Sequence, residues 1–168
     1  ESATGLWAGS YMTLQRGIAP ETAAKWVAIF YLGITLGRLA NSFIADRVGD
    51  KRMIRFGQAL VVAGILLMTL PLGNVACFAG LLLIGLGEAP IFPSMLHQTP
   101  ANFGAENSQT LMGLQMACAY TGSTLTPPVF GLIAQYVSIS LYPVYLLLFA
   151  ALMIVMVERR ERAARTKA

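Results

Sequence analysis

Hydrophobic positions run along this chain in long unbroken blocks, not at the spacing of a surface helix or a half-buried strand. No Asp, Glu, Lys or Arg occurs between Phe56 and Gly87, and none between Asn107 and Val157. Apolar runs of about 17–25 residues match the roughly 30 Å hydrocarbon layer of a bilayer as helices, whereas barrel strands need only about ten alternating residues. The pattern therefore predicts an all-α, polytopic membrane protein with six spans, at about 2–18, 25–45, 53–70, 75–96, 110–137 and 142–157, followed by a basic tail over 158–168. Ala19-Pro20-Glu21-Thr22 and Pro71-Leu72-Gly73-Asn74 supply turns, proline closing one helix and opening the next. Residues 97–109 read as a polar connection and 138–141 as a turn, with Pro127-Pro128 near the end of the fifth span. Three spans followed by three suit an inverted-topology repeat, because an odd number of spans reverses orientation. The first span opens at Glu1 with no flanking loop, so it reads as shortened, and no cleavable signal pattern precedes it.

Composition agrees. Of 168 residues, 56% are hydrophobic and 12% charged, about half the charge of a soluble domain, and the mean hydropathy is +0.63. No water-soluble fold of this size could bury both neutral tracts and still cover its surface. A pI near 9.3 would fit nucleic acid, but the basic residues sit at span ends, where bilayer orientation requires them. Arg38, Arg47, Lys51, Arg52 and Arg55 flank one loop, and Arg159, Arg160, Arg162, Arg165 and Lys167 lie in the tail, against only Arg16 and Lys25 on the other side. That asymmetry makes the 46–52 loop and the C-terminus cytoplasmic, in a plasma (inner) membrane.

Several chemistries drop out. Cys77 and Cys118 lie inside apolar spans, which disfavours a disulfide framework or zinc site. No metal-spaced cluster, glycine-rich phosphate loop or Walker lysine occurs, so no cofactor, metal or ATP-driven step is expected. Ser94 and His97 are three apart without a third orienting group or a nucleophile turn, so an enzyme is not expected.

Glu88 is the most expensive residue in the chain. It lies near the middle of its span with Gly85, Gly87 and Pro90 beside it, and a charge facing lipid there costs at least a few kcal/mol. It should face a cavity or a partner, or serve as a proton-coupled site. Trp7 and Tyr11 are four apart on one helix face, and with Phe92 they suit stacking on the apolar face of a sugar. Gln115 and Tyr120 are polar enough for a cavity but are five apart. Gly33, Gly37, Asn41 and Ala45 form one small-residue stripe and Gly113, Ala117 and Thr121 another, both read as packing surfaces. Arg16 reads as an interfacial, snorkelling residue, and His97 as a loop residue.

The segment Gly37-Arg38-Leu39-Ala40-Asn41-Ser42-Phe43-Ile44-Ala45-Asp46-Arg47-Val48-Gly49-Asp50-Lys51-Arg52 joins a helix end, an acid–base pair, a glycine turn and a basic cluster. It resembles the cytoplasmic loop motif G-x-x-x-D-R-x-G-R-R of the major facilitator superfamily, departing at Ser42 (glycine expected) and Asp50 (a base is common). Glu1-Ser2-Ala3-Thr4-Gly5-Leu6-Trp7 with Tyr11 resembles span seven of the fucose permease branch. Gly85-Leu86-Gly87-Glu88-Ala89-Pro90-Ile91-Phe92-Pro93 resembles its span ten, and Gly122-Ser123-Thr124-Leu125-Thr126-Pro127-Pro128-Val129-Phe130-Gly131 its span eleven.

The resemblance covers nearly the whole chain and implies the C-terminal six-helix half of a twelve-span secondary transporter. It implies alternating access for a small polar solute such as a sugar, with proton coupling as an option. Glu1, Trp7, Tyr11, Glu88, Phe92, Gln115 and Tyr120 would then line the cavity. Gly37, Arg38, Ser42, Asp46, Arg47, Gly49, Lys51 and Arg52 would form the cytoplasmic gate. The partners implied are the solute, the lipid bilayer, and either an N-terminal six-helix half or a second copy in a homodimer, with no nucleic acid. A multidrug-type exporter half and a non-transporting module that keeps the fold are the alternatives.

Overall fold

The computed structural model describes the backbone of residues 1–166 and their side chains other than those of Asp46, Ala105 and residues 163–166. Lys167 of the tail, the Arg165 side chain, and the Asp46 side chain of the expected gate lie outside what is described. Among the described residues every regular element is helical: α1 Ser2–Arg16, α2 Pro20–Val48, α3 Asp50–Thr69, α4 Asn74–Glu88, α5 Ile91–His97, α6 Thr99–Phe103, α7 Ala105–Tyr136 and α8 Tyr142–Thr166, with a 3₁₀ turn at Ile139–Leu141. This is the all-α membrane architecture that the neutral tracts require, since backbone in hydrocarbon must satisfy its own hydrogen bonds.

Among the described residues four stretches are long and apolar enough to cross a bilayer: Pro20–Ala45, Asp50–Thr69, Asn74–His97 and Ile139–Arg162. The expected first and fifth spans are not among them. Helix α1 has 15 residues, about 22 Å of rise against a layer of about 30 Å. Helix α7 has 32 residues but carries a run of Thr, Ser, Tyr and Pro between Tyr120 and Pro128.

Boundaries follow local chemistry. Gly17 ends α1 in the left-handed conformation, φ 67°, and α2 starts on Pro20, whose fixed φ suits a first turn. The stretch read as one fourth span is two helices, because Pro90 has no N–H with which to continue the ladder. Residues 97–109, expected as a polar connection, are mostly helical instead: α6 ends at Gly104 (φ 82°), and α7 begins at Ala105. Polar residues that favour helices, among them Glu106 and Gln109, extend the fold beyond the apolar run. The tail too is helical as far as Thr166, helped by a Glu158–Arg162 pair one turn apart at 3.5 Å.

Packing uses two kinds of seam. Between α3 and α4 the backbones nearly touch. A Cβ added at Gly64 would lie 2.6 Å from the Gly80 carbonyl oxygen, and one at Gly57 would lie 2.5 Å from that of Gly87. The reciprocal approaches, Gly80 to Gly64 and Gly87 to Gly57, are 2.6 and 2.7 Å. The residues in each helix are seven apart, so two glycine pairs meet two turns apart along an antiparallel crossing. Helix α2 joins the same slab: a Cβ on Gly37 would lie 2.5 Å from the Ala89 Cβ. The second seam is aromatic. Phe130 of α7 sits 5.4 Å from Trp7 of α1, and 5.5 and 5.0 Å from Tyr142 and Tyr145 of α8. By contrast, the Gly113, Ala117 and Thr121 stripe of α7, expected to pack, is exposed, and no described atom lies within 4 Å of a Cβ built on Gly113.

Charge is confined to the ends of the bundle and to one cavity. At one end Arg16 donates to the Met68 carbonyl and, at 3.2 Å, to that of Leu70, capping the C-terminus of α3. At the other end Arg55 pairs with Glu158 and Glu161 at 3.3 and 2.8 Å, Arg160 donates to Gln98 at 2.7 Å, and His97 Nδ1 lies 2.7 Å from Asp50 Oδ2. The α2–α3 turn, the end of α5 and the end of α8 thus share one face.

Two outcomes follow. Gly64→Ile should destabilise the fold by about 1–3 kcal/mol by overpacking, and Ala63→Ile, beside it, should not; thermal unfolding in detergent compares them. Arg16→Leu, which strips the Met68 and Leu70 carbonyls of their donor, should cost about 1–2 kcal/mol in the same assay.

Candidate functional site

A cavity of about 530 Å³ opens between the glycine slab and the α7–α8 pair, with α1 entering its wall. Its charged groups come from three elements. Glu1 precedes α1, Arg38 lies in α2, and Glu88 is the last residue of α4, at the break before Pro90. Arg38 Nη2 donates to Glu1 Oε2 at 2.8 Å, and the Glu1 backbone nitrogen lies 3.1 Å from Glu88 Oε1. Glu88 Oε2 is buried with no hydrogen-bond partner, and so is Thr4 Oγ1, one turn along α1 from Glu1.

The opposite wall is α7. Tyr120, Ser123 and Thr126 line it. Pro127 and Pro128 lie inside that helix, so the carbonyls of Ser123 and Thr124 lack their ordinary amide donors. Side chains from neighbouring helices bond carbonyls at the same level: Tyr145 OH donates to Thr126 O at 2.8 Å, and Trp7 Nε1 to Pro127 O at 2.9 Å. Phe92, Tyr145, Phe149 and Met153 make much of the remaining surface apolar.

Of the side chains expected to share a cavity, Glu1, Glu88, Phe92 and Tyr120 do so. The other three are engaged elsewhere. Trp7 is held by Pro127 O and the Phe130 ring, and Tyr11 is 4% exposed and packs 5.2 Å from Tyr142. Gln115 Oε1 accepts from Thr99 Oγ1 at 3.1 Å.

The expected gate segment divides as well. Gly37 is half-buried against the Leu86–Ala89 end of α4, and Arg38 belongs to the cavity. Ser42 Oγ donates back to Leu39 O at 2.7 Å. Gly49, at φ 85°, turns the chain between α2 and α3, and Arg47, Lys51 and Arg52 are exposed around it. Asp50 reaches His97, residues that sequence reasoning left unconnected.

Thr4, Arg38, Cys118, Ser123, Thr126 and Phe149 are among the wall residues it missed as such. Arg38 was findable: it stands eight residues before Asp46, two turns inside an apolar span, where the cost argument applied to Glu88 holds equally.

Comparison with known proteins gives a consistent result. The family model described as Major Facilitator Superfamily matches residues 1–168. An uncharacterized MFS-type transporter of Yersinia pestis is 29% identical over 140 residues, covering 80% of this chain and 35% of that protein. The membrane protein MosC of Rhizobium meliloti is 22% identical over 139 residues, 83% of this chain and 34% of its own length. The probable galactarate/D-glucarate transporter GudP of Escherichia coli K12 is 26% identical over 134 residues, 74% of this chain and 29% of that one. The chain thus spans about a third of the length of these relatives. No solved structure gives a significant match. With the helical membrane fold and the family match over its whole length, the chain belongs to the Major Facilitator Superfamily of integral membrane transporters.

Proposed function

We propose that this chain forms one half of a secondary transporter that moves a small polar solute by alternating access. The observation that carries the reading is the Arg38–Glu1 ion pair with Glu88 on the wall of one cavity between helices. Ionisable groups at that depth mark solute or ion pathways. The relatives support the class, two of them being transporters by name.

All six long paths cross the membrane in this reading, α1 and α7 included, because the polar side of α7 faces the cavity instead of lipid. The cavity is closed by an N-terminal six-helix half or by a second copy of the chain, whose surface covers the exposed small-residue stripe of α7. The end bearing Arg55, Arg160 and the Gly49 turn is cytoplasmic in the inner membrane, following the distribution of Lys and Arg. The loop around Gly49 locks that side, and Glu88 is the residue suited to couple solute movement to protons.

Placement in the fucose permease branch, and with it a sugar as solute, rests on the three resembling segments. Phe92 and Tyr120 supply aromatic surface for such a solute; Trp7 and Tyr11 instead brace the helices behind it.

In liposomes containing the complete transporter, Glu88→Gln should lower solute flux by about tenfold or more while the protein remains folded and inserted. Flux equal to the parent would remove Glu88 from the pathway.

A further inference from the structure

Three observations on the cavity wall point to one kind of ligand. The first is charge. Its charged side chains are two carboxylates, Glu1 and Glu88, and one guanidinium, Arg38, and the guanidinium is engaged with Glu1 at 2.8 Å. Glu88 Oε2 is left buried without a donor. A carboxylate oxygen screened from water is costly until a donor reaches it.

The second is the helix break. Helix α4 ends at Glu88, and the last carbonyls of a helix carry partial negative charge. Pro90 and Pro93 have no N–H to offer the carbonyls of Leu86 and Ala89 four residues before them.

The third is Thr4. Its side chain is 0% exposed and lies on the cavity wall, beside the Tyr142 hydroxyl and with no other partner for Oγ1.

We propose that the cavity binds a small organic cation which places a protonated primary amine against Glu88 Oε2, with Thr4 Oγ1 as a second acceptor and an apolar frame against Phe92 and Phe149. This deepens the transport reading above and rests on it only in taking the cavity to be a solute site. Other classes fit less well. An anion meets an excess of carboxylate, with Arg38 already paired. A neutral polyol can donate to the same oxygen but brings no charge to balance the carboxylates. A bare metal ion needs about six oxygen ligands, and Glu88 with Thr4 supplies few of them.

Cys118 provides the readout, since it is exposed and lines the cavity while Cys77 is buried. The full-length protein in lipid nanodiscs is treated with a neutral methanethiosulfonate reagent, and modification of the Cys118 peptide is followed by mass spectrometry. Added probes are cyclohexylammonium chloride, cyclohexanol, sodium cyclohexanecarboxylate, tetramethylammonium chloride and sodium chloride.

Cyclohexylammonium should protect Cys118 at about tenfold lower concentration than cyclohexanol, and the carboxylate, tetramethylammonium (which has no N–H) and sodium chloride should not protect. Glu88→Gln should abolish the preference for the amine without changing the unprotected rate. Thr4→Val, which leaves the acid in place, should weaken protection about threefold.

Equal protection by cyclohexanol, or protection by the carboxylate, tetramethylammonium or sodium chloride, overturns the proposal. So does an undiminished preference in Glu88→Gln, or unchanged protection in Thr4→Val. Amine protection without solute flux would remove the transport reading alone. Flux of a neutral solute without amine protection would remove the cation assignment alone.

Discussion

The hydrocarbon layer has no water to offer a peptide group or a charge, and this exclusion organises the whole molecule. Backbone amides find their partners inside helices. Where a helix end interrupts the ladder, a side chain from another helix steps in, as Arg16 does for the carbonyls of Met68 and Leu70. Charges have the same two options at larger scale. They gather at the ends of the bundle, as Arg55, Glu158 and Glu161 do, or they line one cavity, as Glu88 does beside the Glu1–Arg38 pair. The exposed surface between is left to side chains such as Leu6, Phe43 and Val75, each more than half exposed.

The cavity exists because the two seams pack at different distances. Glycine pairs draw α3 and α4 together until backbone meets backbone, leaving no room for side chains between them. The α1–α7–α8 contact is built from rings about 5 Å apart, which hold their helices further off. A close-packed slab facing a loosely spaced group leaves a gap, and Glu88 is at the α4 break on the slab side of it.

What the sequence revealed depended on whether the signal was additive. Charge-free tracts sum over many residues, so the helical membrane class could be read directly from 56–87 and 107–157. Glu88 stood out because one acid in such a tract has few ways to be stable. Boundaries were harder. A neutral run does not say where a helix stops, so α7 and α8 extend further into polar sequence than the apolar blocks do, and the break at Pro90 lay inside an apolar run.

Side-chain direction was the least legible. Trp7 and Tyr11 do share a face of α1, but whether that face meets solute or other rings depends on Phe130 and Tyr142, more than a hundred residues away. The glycine seam escaped notice for a related reason. Gly57, Gly64, Gly80 and Gly87 are spaced by seven within each helix, and only the antiparallel crossing shows that the two sets match.

That crossing has a mechanical corollary. Helices whose main chains interlock at two points, two turns apart, cannot slide by a fraction of a turn without collision, so α3 and α4 must travel as a single stiff plank. Any rearrangement of this half is then concentrated where flat rings meet, along the border of α1 with α7 and α8, since rings can tilt and slip past one another where interlocked backbone cannot.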